Sequence, residues 1–378
     1  MSRLVLDRSL LTLRTPGAAR RCATLLPPAD KMPRLSLIVC TRNPKPDYFR
    51  RLLDSLRCQT LPVAEWELLV VDKASADRLE QVWDLSWHPN SRHLREDELG
   101  LTAARLRGIR ESCGPLIVYV DDDNVMAPDY LVNALQIEAA YPQLAVFGAG
   151  VLDPEFEVPP TTQVERLVPL LGLRRLEQPQ WTNNPEDSRS VPWGAGLCVR
   201  RATAIAYAEL LDRLSIRHLL DRRGQRLYSG GDDLFSWVAA RNGSGFGIFP
   251  RLRILHLVRA ERVQPPYLLR LVHDHAYSHA ILRFAMCGTI QADLQVADTI
   301  RILLHGVRRG MFSMRSHWAA ARGAAAAAKH IEAHHIQSIA GGTLPAPRPA
   351  EPHVTTDACT SVGQTPGSQT ASRSRAVR

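Results

Sequence analysis

With 378 residues and 45% hydrophobic content, the chain is long enough for one large domain with appendages. Its formal net charge of +9 points to anionic partners, although much of the surplus lies towards the ends, in Arg14, Arg20 and Arg21 and in Arg301, Arg308, Arg309, Arg315, Arg322 and Lys329. Seven scattered cysteines with no Cys-x-x-Cys pair argue against a disulfide framework and a thiolate zinc site, and no apolar run reaches the length of a membrane span.

Residues 1–33 are basic, contain a Pro-Pro and lack periodicity. They are expected to form a poorly structured leader, without the apolar core and cleavage site of a signal peptide. Leu35 to Cys40 reads as a strand covered on both faces, ending in the turn Thr41-Arg42-Asn43-Pro44. Phe49, Leu52, Leu53 and Leu56 recur at helical spacing, with Asp47 as the expected N-cap. A second strand runs from Trp66 to Val71 and ends in Asp72, completing a βαβ unit. A short strand near Arg92 to Arg95 and a helix from Leu101 to Glu111 follow. Leu116 to Val120 is then a buried strand leading directly into Asp121-Asp122-Asp123-Asn124. Pro128 suits the first turn of a helix reaching Ala140, and Ala145 to Gly150 reads as a strand.

Residues 151–190 are rich in Pro, Arg and Glu and are expected to form a long loop over the site. Val191 to Val199 has strand character, Ala202 to Leu214 is helical, and Gly230-Gly231-Asp232-Asp233 opens a helix through Arg241. Phe246 to Phe249 and Leu252 to Leu257 are two further strand candidates. Residues 263–340 form a basic helical extension with an Ala-rich stretch, and 341–378 a disordered tail, leaving 34–262 as the coherent α/β unit.

Three acids at the end of a buried strand repel one another unless positive charge sits between them. The carboxyl ends of strands are where open α/β sheets bind ligands. Hard oxygen donors suit Mg²⁺ or Mn²⁺, so one of Asp121, Asp122 and Asp123 would bind metal while another accepts from a ribose hydroxyl; the competing readings are a solvated acidic loop and a helix N-cap preceding Pro128. At Gly231-Asp232-Asp233 a carboxylate at a helix start can act as general base towards a hydroxyl, or simply cap the helix. Arg105 and Arg107 enter a helix behind Gly100, where they would either meet a phosphate or form a solvated face. His256 closes a strand on the same kind of edge, as a metal ligand or a satisfied core histidine.

The order of these motifs over residues 34–262 resembles the family 2 glycosyltransferases, with their GT-A nucleotide-diphospho-sugar fold. The resemblance rests on Val39-Cys40-Thr41-Arg42-Asn43, Val70-Val71-Asp72, Gly100 to Gly108, Asp121 to Asp123 and Gly231-Asp232-Asp233. Leu106, Lys73 and Asp232 depart from the usual Asn, small polar residue and Glu. The fold implied is α/β, a mixed, mostly parallel sheet flanked by helices. The activity implied is inverting sugar transfer from a nucleotide-diphospho-sugar to an acceptor hydroxyl in surface polysaccharide or glycoconjugate biosynthesis, with Mn²⁺ or Mg²⁺.

Carried over by motif, Asp233 is the catalytic base. Asp123, Asp121 and His256 are the metal set, and Thr41, Asn43, Asp72, Arg105, Asp121, Asp122, Trp193 and Asp232 contact substrates. Trp193 would line the acceptor groove. The acceptor would be a glycan or a lipid-linked molecule, and the protein cytoplasmic, either at the inner face of the membrane through its basic helices or with those helices packed on the domain. Nucleic acid is not an expected partner, because no aromatic-studded basic strand is present. A nucleotidyltransferase would need glycine in the turn after the first strand, and Thr41 to Pro46 has none. A non-catalytic sugar-nucleotide or polysaccharide-binding regulator is the remaining alternative.

Overall fold

In the computed structural model the opening apolar run is β1 (Leu35–Thr41), and all seven of its residues are buried. Their side chains alternate between two cores, Leu35, Leu37 and Val39 entering one, Ile38 and Cys40 the other. The same division recurs in β2 (Trp66–Lys73) and, past the less buried β3 (Ser91–Glu96), in β4 (Leu116–Val120). This is why these strands read as unbroken apolar runs: both faces are covered. The structure describes residues 32–214, 216–220, 222, 226–290, 302, 310–336 and 338–339. Nearly all of the expected leader, and the whole expected tail from 341, lie outside these described residues.

The sheet order is β3-β2-β1-β4-β9-β6-β10-β5. Here β5 is Asn124–Met126, β6 Leu144–Phe156, β7 Arg174–Arg175, β8 Gln180–Thr182, β9 Cys198–Arg200 and β10 Gly245–Val258. Strands β1 to β4, β6 and β10 run one way, while β5, β7, β8 and β9 are antiparallel to their neighbours. The sheet is therefore mixed and mostly parallel, as the resemblance implies. Because β1, β2 and β4 are parallel and in register, Thr41 aligns with Asp72 and Val39 with Val120. Their C-terminal ends, and the loops that follow, thus lie along one edge.

On one face pack α1 (Pro46–Arg57) and α4 (Tyr130–Ala140), with the short α2 (Leu79–Val82) beside them. On the other pack α3 (Leu101–Glu111), α5 (Arg201–Arg213) and α6 (Asp233–Arg241). The buried Phe49, Leu52, Leu53 and Leu56 form the expected stripe of α1. Its N-cap position is taken by Lys45 with Pro46 beginning the helix, and Asp47 lies inside the first turn. Pro in the first turn fixes the helical φ without losing a hydrogen bond.

Among the described residues two helices follow the sheet, α7 (Pro265–Cys287) and α8 (Met311–Ala333). Tyr277, Ile281, Leu282 and Ala285 of α7, with Ala327 and Ile331 of α8, are buried in the same core as α6. Gly323 lets α8 approach α7, since a Cβ there would overlap the His273 carbonyl oxygen. The extension packs on the domain. Among the described residues, no helix is long and apolar enough to cross a membrane.

Four expectations change. The strand from residue 145 continues to Phe156, because Asp153-Pro154-Glu155 pairs with β10 despite its polarity. The two strands expected between 246 and 257 are one, β10, irregular between Phe249 and Arg253. Within 151–190 the chain also contributes β7, β8 and a 3-10 turn, Glu165–Leu171. Of the expected 191–199 strand only Cys198–Arg200 forms, since Trp193 to Gly196 turns instead.

Candidate active site

The acids after β4 sit half-buried on the sheet edge. Asn124, fully buried at the start of β5, holds their loop: its Oδ1 accepts from the Asp121 backbone N–H (3.3 Å) and its Nδ2 donates to Asp123 Oδ1 (3.1 Å). Each acid then meets a different environment. Asp122 accepts a hydrogen bond from the Thr41 hydroxyl, yet burial and the neighbouring Asp123 charge push its pKa up to about 6. Asp121 is raised by burial and by Asp123. Asp123 goes the other way. Burial acts to raise it, but the basic groups around it, Arg262 in direct contact, outweigh that and hold it well below the usual carboxylate range.

The contacts explain that difference. Arg262 Nη1 donates to Asp123 Oδ2 at 2.8 Å and lies 3.0 Å from His256 Nε2, which is itself 3.4 Å from Asp123 Oδ2. His256 and Arg262 are buried. Since a guanidinium only donates, His256 Nε2 is the acceptor and the ring proton belongs on Nδ1, which is buried without a hydrogen-bond partner.

Next to this lies the pair of loops after β1 and β2. Asn43, at φ +46°, donates its backbone N–H to Ser75 Oγ (2.8 Å) and accepts from the Ala76 N–H (2.9 Å), tying the loops together. Asp72 accepts from the Ser75 N–H (2.8 Å) and from Arg95 Nη1 (2.6 Å). Burial opposes its ionisation, and the Ser75 and Arg95 interactions win, so it stays charged.

The second acidic cluster opens α6, which Leu234, Phe235 and Val238 fix in the core; Phe235 stacks on Tyr207 at 3.7 Å between ring centroids. Asp232 Oδ2 accepts from the Gly194 N–H at 2.8 Å, joining this helix start to the Trp193-Gly194-Ala195-Gly196 turn. The turn needs its glycines: a Cβ at Gly194 would stand 2.5 Å from Arg105 Nη2, and Gly196, at φ +77°, abuts the Tyr130 hydroxyl. Arg105 is buried beneath, over the Tyr119 ring at 5.6 Å. Burial would discharge it, but Asp232, Tyr207 and Asp121 keep its pKa above the ordinary value. Arg174, from β7, lies 3.3 Å over the Trp193 ring and donates to the Val191 carbonyl at 3.0 Å. Burial lowers Arg174 to about 10, against the pull of Asp233 and Asp232. Asp233 itself is pushed up to about 7, first by burial and then by Asp232, with Arg174 and Arg105 opposing.

Sequence-predicted residues thus fall into linked groups: Thr41 with Asp122, Asn43 with the Asp72 loop, Asp123 with His256, and Asp232 with the Trp193 turn over Arg105. The three-ligand set of Asp121, Asp123 and His256 is not assembled. Among the described residues no three His, Cys, Asp or Glu side chains gather to hold a metal. The donor types nevertheless fit a hard divalent cation, two carboxylates and an imidazole with an orphaned second nitrogen, in a cluster whose raised Asp121 and Asp122 mark excess negative charge. Arg262 lies against two of these donors, Asp123 and His256. Sequence reasoning missed Arg262, Arg174, Arg95 and Asn124 as site residues; the only signal for Arg262 is a turn with two arginines just after the His256 strand.

Residues 36–185 match the sequence model of Glycosyl transferase family 2. The Bacillus subtilis (strain 168) protein named "Putative glycosyltransferase EpsH" is 31% identical over 106 residues, 28% of this chain. That match spans 30% of the relative's own length. Among solved structures, the mannosyltransferase PcManGT from Pyrobaculum calidifontis, in complex with GDP-Man and Mn²⁺, is 20% identical with a TM-score of 0.45, covering 83% of this chain and 77% of that one. S. aureus TarS 1–349 in complex with UDP-GlcNAc is 18% identical with a TM-score of 0.41, covering 73% of each chain.

Proposed function

We propose that the chain is a family 2 glycosyltransferase, whose sequence model its residues 36–185 match, and that it transfers a sugar from a nucleotide-diphospho-sugar to an acceptor hydroxyl with inversion at the anomeric carbon. The observation that carries the reading is Asp233, a half-buried carboxyl at a helix start whose pKa of about 7 suits a general base at neutral pH. A fully ionised carboxylate would be too weak a base, and a fully protonated one would not accept.

In this reading Asp233 takes the proton from the acceptor hydroxyl as the oxygen attacks the anomeric carbon from the face opposite the leaving group. Asp232, fixed by the Gly194 N–H, holds the start of α6 and raises the basicity of Asp233 through its charge. Trp193, half-buried against the core and stacked by Arg174, would meet an acceptor sugar through the part of its ring left exposed. Asp72, kept ionised, has lone pairs left for a base N–H, and Thr41 with Asn43 shapes that pocket. Arg105 supplies buried positive charge towards the diphosphate.

Asp123, Asp121 and His256 would hold Mn²⁺ or Mg²⁺. When bound, that ion supplies Lewis-acid stabilisation to the departing diphosphate. We place the acceptor among glycans or lipid-linked glycans of surface polysaccharide or glycoconjugate assembly, and the enzyme in the cytoplasm. Because α7 and α8 bury part of their apolar surface on the domain, membrane attraction by these two helices would draw on their exposed basic side chains.

The reading is tested by measuring nucleoside diphosphate release from a panel of nucleotide sugars with Mn²⁺, in wild type and Asp233→Asn, alongside donor binding by calorimetry. Loss of transfer with retained donor binding is expected. Full transfer by Asp233→Asn would remove Asp233 as the base, and no binding of any nucleotide sugar would remove the donor site.

A further inference from the structure

We propose that Arg262 is the resident cation of the donor site: its guanidinium occupies the metal position and yields it only when a nucleoside diphosphate arrives with the ion. The inference rests on the glycosyltransferase reading and deepens it. Its basis is one nitrogen. Arg262 Nη1 stands 2.8 Å from Asp123 Oδ2 and 3.0 Å from His256 Nε2, and those two atoms are 3.4 Å from each other. A single N–H-bearing group therefore bridges one donor atom each of Asp123 and His256, two of the side chains that would hold a divalent cation. Guanidinium and metal cannot both be there.

The electronic requirements agree. A metal needs the lone pair of His256 Nε2, and that lone pair is accepting a hydrogen bond from Arg262. It also needs Asp123 Oδ2, which Arg262 neutralises. A dication approaching the unliganded site would meet a buried, permanently charged guanidinium rather than open carboxylates. Arg262 lies in a 3-10 turn, Ala260–Val263, between the end of β10 and Pro265 at the start of α7. Its Nε is buried without a hydrogen-bond partner, so part of its donor set is unused in this state. The planar fork matches phosphate oxygens, and a diphosphate would offer the displaced guanidinium a new anion while adding its own oxygens to the metal's shell. Metal and nucleotide would then bind with positive coupling, each helping the other displace Arg262.

The experiment titrates purified full-length protein with Mn²⁺ alone, and with Mn²⁺ in the presence of uridine or guanosine diphosphate, using calorimetry and thermal unfolding. Wild type is expected to bind Mn²⁺ weakly by itself and much more tightly with nucleotide. Arg262→Gln is expected to bind Mn²⁺ alone about tenfold or more tightly than wild type, because the competing charge is gone. Mn²⁺ alone should also raise its melting temperature, which in wild type it should not. Arg262→Lys keeps the charge without the fork and should fall between, and it decides the question if Arg262→Gln does not fold. Equal affinity for Mn²⁺ alone in wild type and both variants, with nucleotide-dependent binding retained, overturns the role of Arg262 and leaves the donor site standing. Absence of Mn²⁺ binding in every arm overturns both this inference and the metal reading.

Discussion

The strand-end acids, Asp121 to Asp123, and the helix-start acids, Asp232 and Asp233, are both carboxylate clusters in half-buried surroundings, yet they are held in opposite ways. At the strand end, the Arg262 guanidinium lies directly on Asp123, which is kept ionised far below its ordinary pKa. At the helix start, Asp232 is fixed by a backbone N–H, Arg174 and Arg105 act on Asp233 only as nearby charges, and Asp233 is held near pH 7. The difference lies in counter-charge, not composition. One cluster keeps a cation against a carboxylate, while in the other the carboxyl of Asp233 is left to titrate near neutrality.

The sharpest break of that comparison is to make the same substitution at both places. Asp233→Asn should cost about 10²- to 10⁴-fold in transfer rate, the usual contribution of a general base. Asp123→Asn should cost about 3–5 kcal/mol of folding stability, read from urea unfolding, because it leaves Arg262 buried without its counter-charge. Gly194→Ala, which puts a methyl group against the Arg105 guanidinium, should cost about 1–3 kcal/mol by overpacking.

Smaller but opposite in sign, Asp233→Asn should stabilise the protein, raising its melting temperature by about 2–4 °C at neutral pH. The sign follows from linkage. Asp233 has a pKa of about 7 in the folded chain against an ordinary value of 3.8, so between those limits the native state holds more protons. Its favourable contribution is present at low pH and lost as pH rises through about 7. The neutral Asn removes that cost. Smallest of all, Arg174→Gln should move the acidic limb of the pH–rate profile upward, since Arg174 opposes the rise of Asp233.

Much of the frame was legible in the sequence because its strands are buried on both faces. Leu35 to Thr41, Trp66 to Asp72 and Leu116 to Val120 need continuous apolar residues, and that need is visible in one dimension. The acids at their ends were legible for the same reason, as polar residues abruptly following such runs. Other features were not. Asp153 and Glu155 extend β6 only because β10 offers backbone pairing there, which side-chain pattern does not encode. The Trp193 turn reads as strand until Gly194 and Gly196 are seen to be demanded by Arg105 and Tyr130. Arg262 meets Asp123 across 139 positions of sequence, and no local spacing announces such a partner. Sequence therefore located the candidate acids, while their differing protonation became legible only from the cations folded around them.

The central claim is that Asp233 is the base whose ionisation near neutrality permits transfer. It is tested most directly by the pH dependence of kcat/KM in wild type and Asp233→Asn, with donor affinity measured in both. The account predicts that wild-type activity rises with pH about a midpoint near 7, and that Asp233→Asn binds donor but loses both the activity and this limb. The same limb persisting in Asp233→Asn would contradict it.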